Sequence, residues 1–163
     1  LIENKADNVS SRENISSRGR FIMFRTILVP VDLSDVEVAG PAIDEAVRQA
    51  EASGAALRLV NVQQILPATY MDYVPPDFDA QQRDWAEKEL AAVKAKIKLP
   101  PERVSMVVRI GGIYPEILAE ADEWGADLIV IGSHRPAMST YLLGSNAKTV
   151  VRHAKCSVLV VRK

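Results

Sequence analysis

The chain has 163 residues, enough for a single domain with a proper core. It is 48% hydrophobic and 25% charged, and its formal net charge of −1 gives no electrostatic reason to expect DNA, RNA or an acidic membrane surface as a partner. No run of about eighteen apolar residues occurs, which argues against a helical membrane span. The single cysteine, Cys156, cannot form an internal disulfide, so the expected compartment is the cytoplasm.

Residues 1–22 are rich in Asn, Ser, Arg and Glu without a sustained apolar period. They lack the apolar core of a secretory signal and are expected to form a disordered extension, with an ordered arm packing on a partner as the alternative, Met23 as a natural start and residues 23–163 as the domain. From Phe24 two textures alternate. Thr26 to Val31 is a short run with strand character, followed by a helical pattern in which Ala39, Ile43, Ala46, Val47 and Ala50 recur at spacings of three or four. Ser34-Asp-Val-Glu37 reads as a capping box, but Gly40-Pro41 is awkward inside a helix. Either the first turns are separate, or the regular helix starts at Pro41. Ser53-Gly54 ends it.

Ala56 to Val62 predicts a second strand, and a long Pro- and Tyr-containing loop follows from Gln63 to Phe78. Ala86, Leu90, Val93 and Ile97 mark the second helical face. Val104 to Arg109 is a third strand. After Gly111-Gly112, Pro115 sits where a helix begins, with Ile117, Leu118 and Ala121 facing inward and Gly125 in the C′ position. Asp127 to Ile131 is a fourth strand. A final helix carries Ala147, Val150, Val151 and Ala154, and a last strand spans Ser157 to Arg162.

Strict strand–helix alternation predicts an α/β fold: one open parallel sheet with helices on both faces. Ligands in such folds sit beyond the carboxyl ends of the strands, where the strand order reverses. Two regions fall there: Val29-Pro-Val-Asp32 after the first strand, and Gly132 to Asn146 after the fourth. The second joins a strand-closing glycine to Gly144-Ser145-Asn146, which opens a helix. Free N–H groups at a helix N-terminus, reinforced by a serine hydroxyl, suit a phosphate. A plain turn and N-cap is the competing interpretation of the same residues.

Ile27-Leu-Val-Pro-Val-Asp32, Ala126-Asp-Leu-Ile-Val-Ile-Gly-Ser133, Leu142-Leu-Gly-Ser-Asn146 and Val151-Arg-His-Ala154 before Cys156-Ser-Val-Leu-Val-Val161 occur in that order. This series resembles the universal stress protein family over Phe24 to Lys163. The resemblance implies a Rossmann-like sheet of the adenine nucleotide alpha hydrolase type, ordered 3-2-1-4-5, with ATP between strands one and four. It assigns Pro30, Val31 and Asp32 to the adenosine site, Val62 to adenine, and Ile131, Gly132, Gly144, Ser145 and Asn146 to the nucleotide, with His134 and Arg135 as further phosphate contacts. The family pattern G-x2-G-x9-G-[ST] is altered here: Gly132 to Gly144 spans twelve positions instead of thirteen, and Arg135 replaces the middle glycine. The shortened Gly-Ser-His-Arg-Pro loop resembles a variant branch, in which the Arg135 guanidinium is able to fork onto a phosphate. Asp32 has a second interpretation as a loop or capping carboxylate.

A Walker A loop and metal-ligand clusters are missing from the sequence, so Mg²⁺ is expected to arrive with the nucleotide and ATP hydrolysis to be slow at most. The expected role is a stress-response binding module acting on an unidentified regulatory partner. A nucleotide-free interaction module of the same fold and a slow ATP hydrolase are the alternatives. Cys156 is expected to be a small buried hydrophobe and His153 a capping or surface group near the end of its helix. Val158-Leu-Val-Val161 is apolar on both faces at a sheet edge, and pairing with a second copy would cover it; the resemblance also implies a homodimer through Ser157 to Arg162.

Overall fold

Five short apolar runs build one parallel sheet in a computed structural model that describes residues 24–67, 69, 73–133 and 144–162. The strands are β1 (Thr26–Pro30), β2 (Ala56–Gln63), β3 (Val104–Ile110), β4 (Leu128–Gly132) and β5 (Ser157–Val161). Their spatial order is β3-β2-β1-β4-β5, with every pair parallel. The connecting helices are α1 (Val36–Ser53), α2 (Phe78–Ala95), α3 (Ile113–Trp124) and α4 (Ser145–His153).

The alternation of side chains along the strands sorts the core into two layers. Ile27, Val29, Leu57, Leu59, Leu128 and Val130 face α1 and α2, where they meet Ala42, Ala46 and Leu90. Leu28, Val60, Ile129 and Ile131 face α3 and α4, meeting Ile117, Ala121, Ala147 and Val150. Each fully buried Leu, Ile or Val contributes roughly 1.5–3 kcal/mol. The central strands are apolar on both faces because helices cover both faces.

Several local expectations need correction. α1 is continuous through Gly40-Pro41, so the helix neither breaks there nor waits for Pro41. Its N-cap is Asp35, whose carboxylate accepts the Val38 N–H, instead of Ser34 in a capping box. The Ser34 hydroxyl is engaged elsewhere, donating to Asp32. Pro115 is the third residue of α3, which begins at Ile113. Ile97 lies beyond the end of α2, although it still packs on the core. Val151 is 46% exposed: α4 buries only Ala147 and Val150. The glycines at the ends of α1 and α3 behave as expected, with Gly54 at φ 75° and Gly125 at φ 71°. Among the described residues no helix is long and apolar enough to cross a membrane.

Candidate functional site

The sheet opens at its centre. β1 and β4 pair only at Ile27–Leu128 and Leu28–Ile129. Beyond those pairs each strand keeps its outer neighbour: the Val31 N–H donates to the Val60 carbonyl at 2.8 Å, and the Ser133 N–H to the Val161 carbonyl at 2.9 Å. The chain leaves β1 toward α1 on one face and leaves β4 toward α4 on the other. A crevice therefore lies between them at the carboxyl ends. Continuing the register sets Pro30, Val31 and Asp32 level with Ile131, Gly132 and Ser133.

On the β1 side, buried Val31 and Leu33 anchor the loop and leave Asp32 exposed between them. Asp32 Oδ1 accepts from the Ser34 N–H at 2.9 Å and from the Ser34 hydroxyl at 2.6 Å. The carboxylate is thus a loop brace through one oxygen. The second oxygen has no hydrogen-bond partner among the described residues. The Val31 carbonyl accepts from Asn61 Nδ2 at 2.9 Å, and Asn61 Oδ1 accepts from Gln63 Nε2 at 2.6 Å. Val60 turns its carbonyl toward β1, so Val62, two residues on, turns its own N–H and C=O the same way. Among the described residues neither group of Val62 has a backbone partner there. The Val62 side chain is half-buried on the α3–α4 face.

On the β4 side, Gly144 is the N-cap of α4 at φ −53° and ψ 148°, with no side-chain cap. Its N–H donates to the Ser133 carbonyl at 3.4 Å, a long contact, and its carbonyl accepts the first intrahelical bond, from the Lys148 N–H at 2.9 Å. The N–H groups of Ser145, Asn146 and Ala147 precede that bond and sit at the positive end of the helix dipole. Ser145 is exposed and Asn146 half-buried. Neither Gly132 nor Gly144 has a left-handed φ. A Cβ on Gly132 would lie 3.6 Å from the Val38 carbonyl and one on Gly144 3.9 Å from the Ser133 carbonyl, both ordinary contacts. Among the described residues, then, the fold itself requires glycine at neither position.

Pro30, Val31, Asp32, Gly132, Gly144, Ser145 and Asn146 thus surround one crevice, with Val62 one strand away. Val31 offers only backbone, and Ile131, 7% exposed, packs its side chain into the α3–α4 layer. His134 and Arg135 lie outside the described residues, as does Tyr70 of the long loop. Asn61 and Gln63 were not among the residues expected at the crevice. Their one signal was an amide interrupting the apolar run Leu59-Val60-Asn61-Val62.

The remaining reactive groups lie elsewhere. Among the described residues no group of three or more His, Cys, Asp or Glu could hold a metal ion. His153 is exposed at the far end of α4. Cys156 is half-buried just before β5, and burial pushes its thiol above the usual cysteine range, which disfavours the reactive thiolate. An open cavity of about 590 Å³ beside it, lined by Phe24, Asp127 and Lys155, lies at the amino ends of the strands, opposite the crevice.

The model of the universal stress protein family matches residues 23–162. The chain belongs to the universal stress protein family. Universal stress protein G of Escherichia coli O157:H7 is 36% identical over 146 residues, covering 86% of this chain and all of that protein. Among solved structures, universal stress protein UspA from Lactobacillus plantarum has a TM-score of 0.69 at 26% identity, covering 85% of this chain and 97% of its own. A universal stress protein crystallised in complex with cAMP has a TM-score of 0.55 at 27% identity, covering 85% of this chain and 97% of its own. The strand order β3-β2-β1-β4-β5 is the one expected for the family.

Proposed function

We propose that this universal stress protein binds an adenine nucleotide in the crevice between β1 and β4, with ATP and its Mg²⁺ as the ligand. The observation that carries the reading is the convergence of the Pro30–Asp32 loop and the open N-terminus of α4 across one crevice. The donor set fits a phosphate chain: successive N–H groups at Ser145 to Ala147 and a serine hydroxyl, flanked by Gly132 and Gly144, which bring no side chain to the crevice. Mg²⁺ would ride on the phosphates, with the free oxygen of Asp32 as the nearby protein carboxylate. The N–H and C=O of Val62 suit the acceptor and donor on adenine's Watson–Crick edge. The cAMP complex of a relative supports the adenine assignment.

The bound nucleotide acts in this reading as an effector, biasing the loops at the crevice and hence a regulatory protein partner. Two copies pair through β5, and the working unit is a cytoplasmic domain of residues 23–163 with residues 1–22 as an extension. Thermal unfolding with ATP, ADP, AMP, cAMP and tripolyphosphate, each with and without Mg²⁺, tests the reading. At a hundredfold excess over Kd a ligand adds about 2.7 kcal/mol, a rise in Tm of roughly 5–10 °C for a domain of this size. Gly144→Val should keep the fold, because its backbone angles suit any residue, and should lose the shift. No shift with any adenine nucleotide would sink the reading in favour of a nucleotide-free interaction module. A shift that persists in Gly144→Val would move the site elsewhere.

A further inference from the structure

We propose that Asn61 is a positioning residue that keeps the Val62 edge of β2 open for the base, with Gln63 fixing its orientation; this rests on the adenine-nucleotide reading above. In an uninterrupted parallel ladder, the Val31 carbonyl would accept from the backbone N–H of Val62, just as the Val31 N–H donates to Val60. Here that carbonyl accepts from the side chain of Asn61 instead, at 2.9 Å. The ladder stops one bond early, and the N–H and C=O of Val62 both point at the crevice side of β2.

The substitution of side chain for backbone is specific in its chemistry. Asn61 is 4% exposed, so its amide is not free to exchange partners with water. Gln63, on the same face of β2, donates to Asn61 Oδ1 at 2.6 Å, which leaves Nδ2 as the end aimed at Val31. A leucine would fill a similar volume against neighbouring Leu57 and Leu59 with no polar group to satisfy. The amide instead holds the β1–α1 loop to β2 by its carbonyl while withholding that carbonyl from Val62. Adenine presents an acceptor at N1 and a donor at its amino group, complementary to a paired N–H and C=O. Hypoxanthine presents the reverse, a donor at N1 and an acceptor at C6. The ratio of ATP to ITP affinity therefore reads the openness of the Val62 edge, and tripolyphosphate affinity reads the α4 end alone.

The test combines calorimetric titration of ATP, ITP and tripolyphosphate with amide hydrogen exchange of the nucleotide-free protein. In the wild type, ATP binds more tightly than ITP and the Val62 amide exchanges quickly for a residue so far inside a sheet. In Asn61→Leu, the Val31 carbonyl takes the Val62 N–H, so that amide becomes protected. ATP affinity falls about tenfold, the worth of one buried hydrogen bond, while tripolyphosphate affinity holds and the preference for ATP over ITP collapses. Gln63→Ala, which alters a half-buried side chain and leaves the core intact, should move both readouts part of the way. A merely structural role would lower Tm and leave the ATP to ITP ratio unchanged. Wild-type protein that binds ATP, with either variant keeping the full ATP preference, overturns the role of Asn61 and Gln63 alone. Wild-type protein that binds no adenine nucleotide overturns the adenine reading and this role with it. A Val62 amide already protected in the wild type overturns the open edge directly.

Discussion

Glu120 sits 4% exposed between two guanidinium groups. Arg58 Nη1 donates to its Oε1 at 2.7 Å, and Arg109 Nη1 to its Oε2 at 2.8 Å. Arg58 also donates to Ser105 Oγ at 2.9 Å and lies 4.5 Å above the Trp124 ring. Arg109 reaches Glu123 and Glu116 as well, and hydrogen bonds to Glu123, Glu116 and Glu120 hold its pKa above the ordinary arginine value. Removing one partner of a buried pair costs about 3–5 kcal/mol, whereas an exposed pair contributes about 0–1 kcal/mol. Urea unfolding should therefore show Glu120→Gln less stable by about 2–3 kcal/mol, since the amide accepts from one arginine but turns N–H groups on the other. Asp122→Ala breaks only the exposed Lys155 pair and should cost under about 0.5 kcal/mol. Equal losses in the two variants would show that burial does not govern this network. The sequence could not announce it: Arg58 lies 62 residues from Glu120, and their pairing exists only once α3 lies across β2.

At the scale of the element, α1 shows why local signals mislead. Pro41 is the sixth residue of a helix that runs unbroken from Val36 to Ser53. It has no N–H to offer the Glu37 carbonyl, and a side chain before proline clashes with the ring in helical geometry. Gly40 has no Cβ to clash, which explains why the two residues occur together. The pair should therefore be coupled in a double-mutant cycle. Pro41→Ala restores a helix hydrogen bond and should stabilise by about 1 kcal/mol, part of the gain being offset by a freer unfolded chain. Gly40→Ala alone should gain less than the usual roughly 1 kcal/mol for a helix interior, and in the Pro41→Ala background the full amount. Apart from its chain neighbours and the backbone of α1 itself, no described atom lies within 4 Å of the added methyl group, so core crowding does not interfere. Strict additivity in thermal unfolding would refute the coupling. The same contrast explains what the sequence made legible at the site. Gly144 opens α4 as its place in the chain suggested. The N-cap of α1 is Asp35 and not Ser34: the Val38 N–H takes the Asp35 carboxylate as its acceptor while the Ser34 hydroxyl donates to Asp32, and spacing cannot rank two neighbouring cap oxygens. Asn61 stayed illegible because its partner is a backbone carbonyl on another strand.

At the scale of the molecule, strand–helix alternation with doubly apolar strands left few topologies, and the sheet agrees with the expected order. What periodicity could not supply is the sheet's outer boundary. β5 is an edge strand in the described structure, with Val158 and Val160 packing toward α3–α4 and Leu159 and Val161 toward α1–α2, all of them half-buried. The Ser157 N–H donates to the Asp127 carbonyl and the Val161 carbonyl accepts from Ser133, so odd-numbered residues of β5 direct their backbone at β4. Val158 and Val160 therefore direct theirs outward. An apolar edge with its donors and acceptors aligned is a template for a second strand, and a twofold axis lets each copy supply one. Val160→Pro removes an outward N–H while leaving every bond to β4, the one circumstance in which a strand tolerates proline. Light scattering coupled to size exclusion should give twice the chain mass for the wild type and the chain mass for Val160→Pro, with the circular dichroism of both alike. Leu159→Pro, which removes a bond to β4, should destabilise the fold itself. If Val160→Pro remains a dimer, the copies meet on another surface; if the wild type is a monomer at high micromolar concentration, the edge is not the interface.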